Sequence, residues 1–302
     1  MTRSLDTDSG GVMDISARID TALCHSIEAA AGPACPPRLS EAIQYAVFPG
    51  GHRIRPRLCL AVANAHVGSD AYVVDAAMSS IELLHCASLV HDDMPCFDNA
   101  ATRRGKPAVH VAFGEPLALL CGDALIVLAF QTIARAAITA PQRASNLLRI
   151  VSDGVGAPNG IVAGQGWECE QEAPLKEYQR AKTGVLFAAA TMAGAAAAGV
   201  DHEPWGILGQ RIGEAYQVAD DLLDRFGDPD VIGKPVGQDV VNDRPNAVSA
   251  MGEKGATDYL RSRIEEVVDS VPDCPGKLKL RALIHEEASQ ILDAALRRRA
   301  AA

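Results

Sequence analysis

Residues 72–94 read YVVDAAMSSIELLHCASLVHDDM, a long apolar run with helical periodicity that closes on two aspartates and stops at Pro95. A second run, 205–226, is periodic in the same way and also closes on acids, in ADDLLD with Asp220, Asp221 and Asp224. Between them Val185–Val200, VLFAAATMAGAAAAGV, is almost all small and apolar. Its 16 residues fall short of the ~20 of a spanning helix, so it predicts a buried helix that packs closely on its neighbours.

Working outward, Ile15, Ile19, Leu23 and Ile27 step by four through 14–30. Further helices are predicted at 39–47, after Pro56, and at 117–138, 142–154, 159–171, 176–199, 254–270 and 277–299. GPACPP at 32–37 and PGG at 49–51 break the pattern. The proline-bearing 95–116 reads as mostly loop, and 227–245 as irregular. No strand alternation, internal repeat or dividing linker is visible. The prediction is all-α: a polar, flexible arm over 1–13 and one helical bundle of roughly ten helices over 14–302.

Composition agrees. Hydrophobic residues make up 48% and charged residues 22%, which excludes a mainly disordered chain. Aromatics are only 4%, and alanine is abundant, which favours helix over strand. A net charge of −10 argues against a nucleic-acid partner or an anionic membrane. The eight cysteines form no CxxC pair and mostly sit in apolar surroundings, as reduced, buried cysteines do. With no apolar leader in MTRSLDTDSGGVMD, a cytoplasmic protein without stable membrane insertion is expected.

On a helix, Asp220 and Asp224 lie one turn apart, and Asp221 is the i,i+3 neighbour of Asp224. Carboxylates so placed repel one another at the negative end of the helix dipole. One such cluster is most simply a solvated helix end. Two, about 130 residues apart and each closing an apolar helix, call for a counter-charge, which a hard divalent cation supplies. Pro95 should end the first helix and let Asp98 reach back to Asp92 and Asp93. Basic residues alternate with these acids: Arg53 and Arg55, then Arg103, Arg104 and Lys106, then Lys182, Lys234 and Arg244. That alternation suits a metal–diphosphate, because the cation bridges carboxylates to phosphate oxygens and Arg offers paired donors.

These motifs, in this order, resemble the trans-isoprenyl diphosphate synthases of the polyprenyl synthetase family, and within it the bacterial geranylgeranyl diphosphate synthases of pigment pathways. GGHRIRP is similar to the family's GGKRxRP. DDMPCFDNAATRRGKP is similar to its first aspartate-rich motif with the linked RRG. GDALIVLAF, AKTG, YQVADDLLDRFGD and GKPVGQD match later motifs, over roughly residues 40–250. The resemblance implies an isoprenoid-synthase bundle around a central cavity, a homodimer, and head-to-tail transfer of an allylic group to isopentenyl diphosphate. It implies Mg²⁺, about three ions, among Asp92, Asp93, Asp98, Asp220, Asp221 and Asp224. It assigns the allylic diphosphate to Arg103, Lys182 and Lys234, and isopentenyl diphosphate to Arg55, His85 and Arg104. Thr183 and Gln217 would flank the cation, and Ser88 would lie near the allylic substrate. His85 precedes Asp92 by two helical turns and so faces the same side.

The chain departs from the family pattern at four places. The usual lysine of GGKRxRP is His52, the acids often found before RRG are Ala100 and Ala101, the usual aspartate after GQ is Glu168, and a later lysine is Arg244. The product tail should run back along the helix that ends at Asp92. Ala87 and Ser88 are small, where farnesyl-making relatives often carry an aromatic at the first position; Leu84 and Ile81 form bulkier layers below. A twenty-carbon product, geranylgeranyl diphosphate, is therefore expected. The alternatives are a farnesyl diphosphate synthase, a terpene cyclase, against which GGHRIRP and RRG argue, and a non-catalytic partner subunit.

Overall fold

Helix periodicity governs most of what the computed structural model describes, residues 14–28, 32, 34–172, 174, 177–178, 180–226 and 247–296. Among these there are twelve α-helices, one π-helical turn and one two-stranded hairpin. Helices α1 (Ile15–Glu28), α2 (Pro37–Val47), α3 (Ile54–Asn64) and α4 (Ala71–Asp92) lie within a few residues of their predicted positions. Asp70 caps α4, its carboxylate accepting from the amides of Tyr72 at 2.9 Å and Val73 at 3.3 Å.

The segment 95–116 is more ordered than its prolines suggested. It contains β1 (Thr102–Arg103) paired antiparallel with β2 (Lys106–Pro107), the short α5 (Val109–Phe113), and the start of α6 (Glu115–Ala136). Pro116 opens α6, where its missing N–H is no loss. Then come α7 (Pro141–Val155) and α8 (Ile161–Trp167), the latter shorter than expected. A π turn at Arg180–Gly184 runs into α9 (Val185–Ala198), followed by α10 (Glu203–Phe226), α11 (Ala247–Asp269) and α12 (Lys277–Leu296). The expected arm at 1–13 and the irregular stretch 227–245 lie outside the described residues.

Two apolar clusters form the core, and α3 and α9 contribute to both. Leu186 of α9 faces the cluster built with α1, α4, α6 and α7, whereas its neighbour Phe187 faces the one built with α10, α11 and α12. A helix buried on all sides must be apolar on all sides, which explains the alanine run. Helix α4 packs most extensively on α6 and buries Met78, Ile81, Leu83 and Leu84 completely.

Two sequence expectations need correction. Only Cys59, Cys86 and Cys121 are buried; Cys24, Cys96 and Cys169 are exposed. Burial pushes the Cys59 and Cys121 thiols up to about 12 and Cys86 to about 11, so these three act as neutral core fillers. Among the described residues three helical stretches, and not one, are long and apolar enough to cross a membrane: α4, α6 and Arg180–Ala198. The first and last bury 78% of their apolar window inside the bundle, whereas α6 buries 44%. Leu119, Leu120 and Val127 leave about half of their surface open on α6.

Candidate active site

The end of α4 folds back on itself. Asp93 caps the helix, and the Asp98 amide donates to the Asp92 carbonyl at 3.0 Å while the Ala100 amide donates to Asp93 at 3.1 Å. Asn99, at φ 47°, adopts the left-handed conformation that this turn requires and that asparagine tolerates. The turn returns Asp98 beside Asp92, as Pro95 implied. The third carboxylate at this point is Glu168, which sequence reasoning noted only as a departure. Ligand oxygens of Asp92, Asp98 and Glu168 all lie within 4.8 Å of one another. Three carboxylates from two chain segments form an oxygen-only donor set, which fits a hard divalent cation.

Asp93 faces elsewhere. Its side chain is 3% exposed, and Arg103 Nε donates to both of its oxygens, at 3.0 and 3.1 Å, with Nη2 adding a further bond. Burial pushes the Asp93 carboxyl above its ordinary value, against the opposing effect of Arg103. Burial does the same to Asp92, where Lys182 opposes the shift and Asp98 and Glu168 reinforce it.

Lys182 lies in the π turn, a feature often found at functional positions. Its Nζ is 3.5 Å from Asp92 Oδ1 and in direct contact with Glu168. Glu168 also accepts from the Tyr178 hydroxyl at 2.6 Å and from Gln165 Nε2 at 2.8 Å. On the other side of the π turn, the Thr183 hydroxyl donates to Gln217 Oε1 at 3.0 Å, and Gln217 Nε2 donates to Asp221 at 2.9 Å. Asp221 is 4% exposed and Asp220 half-buried on α10. The Asp224 side chain, Lys234 and Arg244 lie outside the described residues.

A second centre, rich in basic groups, forms where α3, α4 and the hairpin meet. Arg104 and Gly105 have φ of 54° and 74°, the two left-handed residues of a two-residue hairpin turn. Glycine meets that demand easily; Arg104 is held there against its preference. The glycine pair of PGG makes room for guanidinium groups. A Cβ on Gly50 would lie 2.2 Å from Arg53 Cζ, and one on Gly51 would lie 3.1 Å from Arg104 Nε. Arg55 Nη1 is 3.3 Å from His85 Nε2, and its guanidinium stacks 4.3 Å from the Phe187 ring centre. Arg55 Nε is buried without a hydrogen-bond partner among the described residues. Burial lowers the pKa of Arg55, and burial together with Arg55 and Arg104 lowers that of His85 well below its ordinary value. His85 is therefore neutral, and Nε2 accepts, because arginine can only donate. A buried, unpartnered guanidinium nitrogen beside a second arginine is suited to an anion.

Arg53 does not belong to this centre. It is 8% exposed and bound to Glu82 at 2.7 Å and to the Val47 carbonyl at 2.8 Å, a scaffold ion pair. Lys106 is likewise tied to the carbonyls of Tyr45 and Phe48. His52 is exposed on the PGG loop. The Ser88 hydroxyl donates to the His85 carbonyl at 2.8 Å, and Ala87 and Leu84 are buried in α4. An apolar pocket lined by Ile54, Leu58, Tyr216, Leu260, Ile264 and Ile284 lies between α3, α10, α11 and α12, away from Ala87.

Two acid-bearing helix ends, a lysine on a π turn and an arginine pocket now stand in one bundle, and residues 36–284 match the model of the polyprenyl synthetase family. The chain belongs to the polyprenyl synthetase family. Its relatives include the geranylgeranyl diphosphate synthase of Cereibacter sphaeroides, 50% identical over 93% of this chain and 98% of that protein. That of Rhodobacter capsulatus is 47% identical over 93% and 97%. Among solved structures, a Helicobacter pylori geranyltransferase complexed with magnesium and isoprenyl diphosphate superimposes with a TM-score of 0.77, at 28% identity, covering 94% of this chain and 100% of that one. Polyprenyl synthetases are prenyltransferases acting on isoprenyl diphosphates and requiring a metal.

Proposed function

We propose that this polyprenyl synthetase condenses isopentenyl diphosphate with allylic diphosphates, in a Mg²⁺-dependent head-to-tail transfer that ends at geranylgeranyl diphosphate. The observation that carries the reading is the juxtaposition of the Asp92, Asp98 and Glu168 oxygens with Lys182, together with the unsatisfied Arg55 pocket. Mg²⁺ would be held by Asp92, Asp98 and Glu168 on one side and by Asp220, Asp221 and Asp224 on the other, and would offset charge on the departing diphosphate. Lys182, Arg103 and Lys234 orient that diphosphate. Arg55, Arg104 and neutral His85 bind isopentenyl diphosphate, with His52 at the rim. Thr183 and Gln217 turn polar atoms toward the allylic carbon, and the surrounding apolar helices keep water from it.

The two geranylgeranyl-synthase relatives support the product length, as do small Ala87 and Ser88 above Leu84. The half-exposed apolar face of α6 supports a homodimer in which that face is covered by a second copy. The burial of α4 and Arg180–Ala198 supports a cytoplasmic protein without membrane insertion. The test is a product assay with labelled isopentenyl diphosphate, Mg²⁺ and, separately, dimethylallyl, geranyl and farnesyl diphosphates. A twenty-carbon alcohol after dephosphorylation, lost with EDTA, is expected. A fifteen-carbon end product would reject the length. No product from any primer would favour a non-catalytic partner subunit.

A further inference from the structure

Glu168 stands in two groups at once, and the reason is a close backbone approach. A Cβ on Gly164 would lie 2.6 Å from the Lys182 nitrogen and 2.7 Å from its Cα, so α8 rests directly on the π turn. That contact carries Glu168, the residue capping α8, onto the Lys182 ammonium. Tyr178 and Gln165 hold the same carboxylate from two sides, at 2.6 and 2.8 Å. Its oxygen also completes the three-carboxylate group with Asp92 and Asp98. Lys182 touches two of those three carboxylates, Asp92 and Glu168. A divalent cation entering among them would repel Nζ and take over its counter-charges. The lysine would then be free to bind an anion, while Tyr178 and Gln165 kept Glu168 in place.

We propose that Glu168 is a positioning residue that links divalent-cation binding to diphosphate binding, by retaining Lys182 until a cation takes its carboxylate. The inference rests on the prenyl-diphosphate reading of the site and adds the residue through which metal and diphosphate communicate. In linkage terms, metal-free protein binds diphosphate weakly because its lysine is occupied, and each ligand strengthens the other by the same factor.

Calorimetric titration with inorganic diphosphate, with and without Mg²⁺, tests this. Wild-type protein should bind diphosphate much more tightly with Mg²⁺. Glu168→Gln should bind it about fivefold more tightly than wild type without metal and several-fold more weakly with metal, so the coupling factor falls by about tenfold or more. General damage to the site would weaken both measurements, so opposite signs identify the role. Glu168→Asp keeps the charge and should retain most of the coupling; Tyr178→Phe, which loses one bond to the carboxylate, should lose about threefold. Should Glu168→Gln fail to fold, the Tyr178→Phe loss carries the test. An unchanged coupling factor, or a metal-free affinity that falls in Glu168→Gln, would overturn the proposal. Wild-type protein that binds no diphosphate with Mg²⁺ would overturn the reading of the site as well.

Discussion

The acidic end of α4 and the basic pocket beside α3 hold their charges in opposite states. At the acidic end each cation is matched: Arg103 grips Asp93, and Lys182 contacts Asp92 and Glu168. In the basic pocket Arg55 and Arg104 crowd a neutral histidine, and a buried guanidinium nitrogen lacks a partner. The first centre must exchange partners to work; the second must gain one. Loss of a group should therefore act on turnover and stability in the first, and on substrate affinity in the second.

The strongest test is Asp92→Ala. It removes one corner of the oxygen set and one partner of Lys182, and should lower kcat/KM by about 10³-fold, or about 4 kcal/mol, mostly through kcat. Steady-state kinetics at saturating Mg²⁺ measure it. A change confined to KM would erase the proposed difference between the two centres.

Asp93→Asn comes next and reads stability. It leaves the Arg103 guanidinium beside a neutral amide in a largely buried position, with an expected loss of about 3 kcal/mol in urea unfolding. Arg55→Met should move the other way. It replaces a half-buried, incompletely bonded cation by an apolar chain, so unfolding free energy should rise by about 2 kcal/mol while KM for isopentenyl diphosphate increases steeply. If both variants were destabilised alike, Arg55 would be a scaffold residue like Arg53.

The family resemblance singled out Arg55 over Arg53, but the residues themselves held no reason for it. Arg53 and Arg55 are two residues apart in one motif, and only the fold shows that Arg53 turns to Glu82 while Arg55 turns to His85. The helices were legible because apolar periodicity is a local signal. Asp92, Asp98 and Lys182 were legible because charge at the end of an apolar helix calls for an explanation. Glu168 was not, since its place depends on a backbone contact at Gly164 that no periodicity records. The hairpin at 102–107 escaped because each strand has two residues, too few to alternate.

The smallest effect sharpens the comparison most selectively, because it depends on the neutrality of a single histidine. Burial, aided by Arg55 and Arg104, lowers the folded pKa of His85, whereas the unfolded chain keeps the ordinary value of about 6.5. Between those values the unfolded state binds one more proton, so stability rises with pH and is lost as pH falls below the ordinary histidine value. From pH 7 to pH 5.5 His85 should remove about 1 kcal/mol of unfolding free energy. Glutamine can accept from Arg55 and cannot titrate, so His85→Gln should remain more stable than expected from its pH 7 value as the pH falls. The difference between wild type and variant should narrow or reverse in that interval by this amount. A difference independent of pH would mean that His85 titrates alike in the folded and unfolded chain, and one that widened as the pH fell would mean that His85 is charged in the folded protein, one more positive group than the pocket's geometry admits.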